Sequence, residues 1–142
     1  MEIYIRDVDD IEFLSNSGAI DAGLSMGHIY KITDYTIDAY GDESHNIHQL
    51  ILLKKVLLKQ FDNKENIGVE QFFRLLGNRS CIADASTLFS AKDSNGLVVT
   101  NNEFLLKKCK DNLIQYITIE EYHNQIKVSP TPKTMKSLTE SK

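Results

Sequence analysis

SCIADASTLFSAKDSNGLVVTNNEF, residues 80–104, decides how the rest of the chain is read. It holds a helical segment from Asp84 to Lys92, a Ser-Asn-Gly turn at 94–96, an apolar strand from Leu97 to Thr100, and Asn102 opening a further helix to Lys110. A short apolar run between two helical patterns fits a strand buried on both faces of a parallel sheet, with helices as the crossovers. In such a sheet, polar groups gather beyond the carboxyl ends of the strands. Asp84 at a helix start and Asn102 past a strand end are therefore expected to share one crevice.

Working outward, MEIYI at 1–5 is β-rich, ends at Arg6-Asp7, and delivers Asp7 to the strand's carboxyl end. DDIEFLSNSG at 9–18 follows with helical spacing and stops at Gly18, and Ala19–Met26 reads as a second short helix. HIYKI at 28–32 alternates as a strand does, after which Thr33 or Asp34 caps a helix through Tyr40. Residues 47–61 match a helical period throughout, but a parallel sheet needs a third strand here, and Lys55–Phe61 is assigned to it. Asp62–Asn66 reads as a polar break, Val69–Leu76 as a helix, Ile114–Ile117 as a last strand, and Thr118 with Glu121 as the capping box of a final helix to about Lys127. The alternation predicts an α/β fold: a three-layer α/β/α sandwich around a mainly parallel sheet of four or five strands. Residues 1–127 are expected to form one domain and 128–142, with two prolines and mostly Ser, Thr and Lys, a disordered tail.

Composition narrows the function classes. With 42% hydrophobic and 25% charged residues, the chain has the make-up of a globular domain and is neither disordered nor membrane-embedded. Its longest apolar run, Ile47–Leu58, is broken by Gln49, Lys54 and Lys55, so no membrane partner is expected. The amino terminus reads as strand instead of signal peptide, which predicts a cytoplasmic protein. A net charge of −4 gives no global drive toward nucleic acid, although Lys54, Lys55, Lys59 and Lys64 form one basic cluster and Lys107, Lys108 and Lys110 another. Cys81 and Cys109 are expected to be separate core thiols.

Three segments in order, IYIRDVDDIEFL at 3–14, TDYTIDAY at 33–40, and ADASTLFSAK with GLVVTNNEFLLKKC across 83–109, resemble the PIN-like domains, a family of metal-dependent nucleases with many bacterial toxins. The similarity covers residues 1–122. It implies the sandwich fold, Mg²⁺ or Mn²⁺ held by acidic residues at the sheet's carboxyl edge, and RNA cleavage by metal-activated water. Residue by residue, Asp7 matches the first acid and Asp84 the third, as catalytic metal ligands. The second acidic position falls on Ala39 and the fourth on Asn102, which keeps a carbonyl oxygen but no charge. Asp38, Asp42 and Glu43 are possible substitutes, and Asp9 and Asp10 lie near Asp7. Thr100 and Asn101 are candidates for ordering the site. The resemblance further implies RNA or an antitoxin-like or other protein as partner, and a possible homodimer.

The residues themselves allow plainer roles. Asp84 can cap a helix without binding metal. Ser86, one step along, reads as a helix-surface hydroxyl, and Phe72 and Phe73 as core or a partner contact. A PIN-like module that binds without cleaving is the second reading, and Ala39 and Asn102 motivate it.

Overall fold

The computed structural model describes residues 1–41, 45–77 and 79–128. Asp42 and Glu43, and residues 129–142 of the expected tail, lie outside them.

Five strands form one sheet in the order β3-β2-β1-β4-β5, and every neighbouring pair is parallel. β1 is Glu2–Ile5, β2 Ile29–Thr33, β3 Leu57–Lys59, β4 Leu97–Val99 and β5 Gln115–Ile117. Between β1 and β2 lie α1 (Val8–Asn16) and α2 (Ala19–Ser25); between β2 and β3, α3 (Asp34–Tyr40) and α4 (His45–Leu52). Next come α5 (Asn63–Leu76) and α6 (Ile82–Ser94), then α7 (Glu103–Asp111) after β4, and α8 (Ile119–Val128) after β5. The fold is the expected α/β/α sandwich.

Period-two alternation in β1 sorts the core. Ile3 and Ile5 face one layer with Ile11, Leu14, Ile20, Ile47, Tyr122 and Ile126, from α1, α2, α4 and α8. Tyr4 faces the other with Val69, Leu88 and Leu105, from α5, α6 and α7. Central α6 carries small residues where it crosses the sheet: Ala83, Ala85, Ser86 and Ala91 are all buried. α5 lies so close to it that a Cβ on Gly68 would fall 2.6 Å from the Phe89 ring.

Four local expectations need correction. α5 begins at Asn63, inside the supposed polar break, because Asp62 and Glu65 close a capping box: Glu65 N–H donates to Asp62 Oδ1 at 2.7 Å, and Asp62 N–H to Glu65 Oε1 at 3.1 Å. α6 begins at Ile82, two residues before Asp84, with Cys81 at its N-cap. Ser86 is fully buried, not on the helix surface, because Thr33 Oγ1 at the end of β2 lies 2.7 Å from its hydroxyl. Cys81 is exposed, so only Cys109 is a core thiol.

The break within 47–61 is real. α4 stops at Leu52, Lys54 turns through a positive φ of 60°, and the chain re-emerges as β3 beside β2. No helix among the described residues is long and apolar enough to cross a membrane.

Candidate functional site at the carboxyl edge

The strand order changes direction at β1: the chain goes to β2 on one side and later returns to β4 on the other. Open parallel sheets form their crevice beyond the strand ends at such a point. Ile5 and Val99 are in register there, so the residues after them, Arg6-Asp7 and Thr100-Asn101-Asn102, emerge side by side.

Arg6 is the centre of this edge. By the same alternation that turns Tyr4 toward α6, its side chain crosses to the α6 layer, where Nε donates to Asp84 Oδ1 at 2.7 Å. Its Nη2 donates to Cys81 Sγ at 3.1 Å, and its Nη1 lies 3.9 Å from Asp7 Oδ1. The Tyr40 ring centroid is 5.9 Å from its Cζ, and Tyr40 hydroxyl donates to Asp7 Oδ1 at 3.2 Å. Arg6 and Asp84 side chains are only 12% and 15% exposed, so the pair is shielded from water on most sides. Burial opposes the arginine's charge, but the Cys81 hydrogen bond and the Asp84 charge outweigh it and raise its pKa further. Asp84 is therefore paired closely with a cation of the chain itself, while Asp7 stands off at 3.9 Å and leaves Arg6 Nη1 without a hydrogen bond among the described residues.

The remaining donors have local duties. Asp84 Oδ2 accepts from Cys81 N–H at 3.2 Å, so the carboxylate caps α6 from its third position while pairing with Arg6. Asn102 is the N-cap of α7, its Oδ1 accepting from Leu105 N–H at 3.0 Å. Thr100 is buried and accepts from Asn102 N–H at 3.1 Å. Asn101 accepts from Ile119 N–H at 3.0 Å and ties the end of β4 to the start of α8. Ala39 and Asp38 are exposed on α3.

Asp10 is the carboxyl group most perturbed here. Burial, together with the charge of Asp7 and a hydrogen bond to it, raises its pKa to about 6. Asp10, on the first turn of α1, therefore keeps its proton to a higher pH than an isolated carboxyl group does.

Mg²⁺ and Mn²⁺ require several oxygen donors free to turn inward. Asp84 is engaged by Arg6 and by the α6 amide, Asn102 by α7, and Ala39 has no donor. Among the described residues no group of three or more His, Cys, Asp or Glu is arranged to hold a metal. Among the described residues, then, Asp84 and Asn102 are turned to partners within the chain.

The same architecture occurs in a solved structure. PAE2754 from Pyrobaculum aerophilum superposes with a TM-score of 0.60 at 17% sequence identity, over 91% of this chain and 100% of that one. At that identity the likeness is one of fold alone. No family model matches the sequence, and no curated protein matches it.

Arg6 is the residue of this edge that the sequence pattern does not mark. Its partner stands 78 positions away, which no local pattern reveals. The available signal was parity: in the strand EIYI, residue 6 shares the face of Tyr4, which the structure turns toward α6.

Proposed function

We propose that this chain is a PIN-like module that binds a macromolecular partner and does not cleave RNA by the metal-dependent route. The observation that carries this reading is the 2.7 Å pair between Arg6 and Asp84. In a metal-dependent site the carboxylates at the edge balance a divalent ion; here a guanidinium balances them, and it brings no water to activate. Asn102, committed to capping α7, and Ala39, with no donor at all, support the same reading.

Calorimetric titration with Mn²⁺ tests it. The wild-type protein is expected to show no saturable binding at millimolar metal, whereas a variant combining Arg6→Met, Ala39→Glu and Asn102→Asp is expected to gain one. Saturable binding by the wild type, lost in Asp7→Asn and Asp84→Asn, would overturn the reading.

The second reading is a Mg²⁺- or Mn²⁺-dependent endoribonuclease, toxin-like and restrained by an antitoxin-like partner. It is favoured by the approach of Asp7 and Asp84 to a single cation. On this reading metal displaces Arg6, and RNA is cut by the wild type but not by Asp7→Asn. A gene for a small partner beside this one would strengthen it.

A further inference from the structure

We infer that the hollow between the end of α5 and the first turns of α7 is a docking groove for an acidic protein segment with an apolar anchor residue. Leu76 and Phe104 form part of its lining, with Arg79, Lys107 and Lys108 around them, and it encloses about 510 Å³. A volume of that size is within the range of small-molecule sites, but this hollow lies open at the surface and does not enclose a ligand, a shape that the side chains of a docked segment fill from above.

Charge identifies the occupant. The chain as a whole is acidic, with a net charge of −4, yet this groove has three cations and one carboxylate, Glu103. None of the three cations has an ion-pair partner among the described residues; nor do Lys54, Lys64, Lys92 and Lys110, so what sets the groove apart is that its cations stand together over an apolar floor. Arg74, on a second hollow at the same helix end, also lacks an ion-pair partner among the described residues. Clustered like charges cost free energy in the unbound protein, and a polyanionic segment relieves that repulsion.

The aromatic residue separates peptide from nucleic acid. Single-strand binding grooves present free aromatic faces on which successive bases stack. Phe104 does not: Lys108 Nζ sits 5.5 Å from its ring centroid, and the ring is packed partly into the core with Leu76 and Leu105. What remains is a small apolar floor beneath ammonium and guanidinium groups. That suits a leucine or phenylalanine flanked by Asp and Glu.

The inference rests on the binding-module reading, and the two fail separately, because the groove does not include Arg6, Asp7 or Asp84. The test uses the full chain and a fluorescein-labelled peptide of Asp-Glu pairs separated by leucines, followed by anisotropy at about 50 mM salt. Saturable binding is expected, weakened roughly tenfold or more by Arg79→Glu or Lys107→Glu and by less than about twofold by Lys64→Glu at the far end of α5. Both groove positions are exposed, so the reversals leave the core intact, which the unchanged circular dichroism spectrum will report. The inference is overturned if the peptide does not bind below about 1 mM. It also falls if an oligoadenylate of equal length binds more tightly, or if Lys64→Glu weakens binding as much as Lys107→Glu. Metal binding at the carboxyl edge in the same preparation would overturn the binding-module reading instead and leave the groove's assignment standing.

Discussion

Replacing Arg6 with methionine keeps the aliphatic stem and removes the guanidinium from between Asp84 and Asp7. The size of the effect follows from burial. Stripping one partner from a fully buried ion pair costs about 3–5 kcal/mol, and from an exposed pair about 0–1 kcal/mol. With side chains 12% and 15% exposed, this pair lies nearer the buried limit, but Asp84 keeps its bond from Cys81 N–H. A loss of about 2–3 kcal/mol is expected, which at this chain length lowers Tm by roughly 8–12 °C. Urea denaturation monitored by circular dichroism measures it, with and without Mn²⁺. In Arg6→Met the orphaned carboxylates are open to an outside cation, and Mn²⁺ at about 10–100 times its Kd restores about 1.4–2.7 kcal/mol. The wild type, already neutralised, gains nothing. Adding Asp84→Asn to Arg6→Met removes the orphaned charge and recovers part of the loss, which separates electrostatics from packing. The reasoning is refuted if Arg6→Met unfolds at the wild-type midpoint, or if Mn²⁺ stabilises both proteins equally.

Other outcomes follow from neighbouring contacts. Asp10 has a folded pKa near 6, above the ordinary value of 3.8, so the native state holds its proton more tightly; the group's stability contribution is intact below about pH 4 and is lost as pH rises through 6. Asp10→Asn should therefore raise stability by about 1 kcal/mol at pH 7, after allowance for solvent screening, and the gain should vanish toward pH 4 in denaturant titrations. A methyl group at Gly23 would sit 1.8 Å from the Tyr30 hydroxyl, which is paired with Tyr122 at 2.5 Å. Gly23→Ala should cost about 2–3 kcal/mol by thermal denaturation, and adding Tyr30→Phe should recover part of it. Asn101→Ala removes the acceptor for Ile119 N–H and should cost about 1 kcal/mol, seen as faster hydrogen exchange in the first turn of α8 before any other element responds.

Fold was more legible than site, for a physical reason. Alternating helical and strand patterns are local, so IYI, YKI and LVV could be placed as buried strands, and Lys55–Phe61 assigned as a strand despite its helical period. Caps that use ordinary residues were also readable, as at Thr33, whose hydroxyl does accept from Thr36 N–H. Misplaced starts came from unusual caps: Cys81 is rarely expected to begin a helix, and Asp62-Asn-Lys-Glu65 looks like loop until its reciprocal bonds are seen. The aspartates were found because carboxylates at strand ends stand out by type. Arg6 was not, because its meaning lies in a partner on a distant helix. Asn102 was placed correctly in the chain, but its oxygen turns to α7, an orientation that residue type alone does not specify.

β1 lies at the middle of the sheet, flanked by β2 from the first third of the sequence and by β4, which ends at Val99. A ribosome emitting this chain in order therefore exposes one edge of β1 until β4 has cleared the exit tunnel. During that interval the Tyr4 face and the open amides of β1 are the surface a chaperone would encounter, and a nascent chain stalled before Gly96 would present them indefinitely.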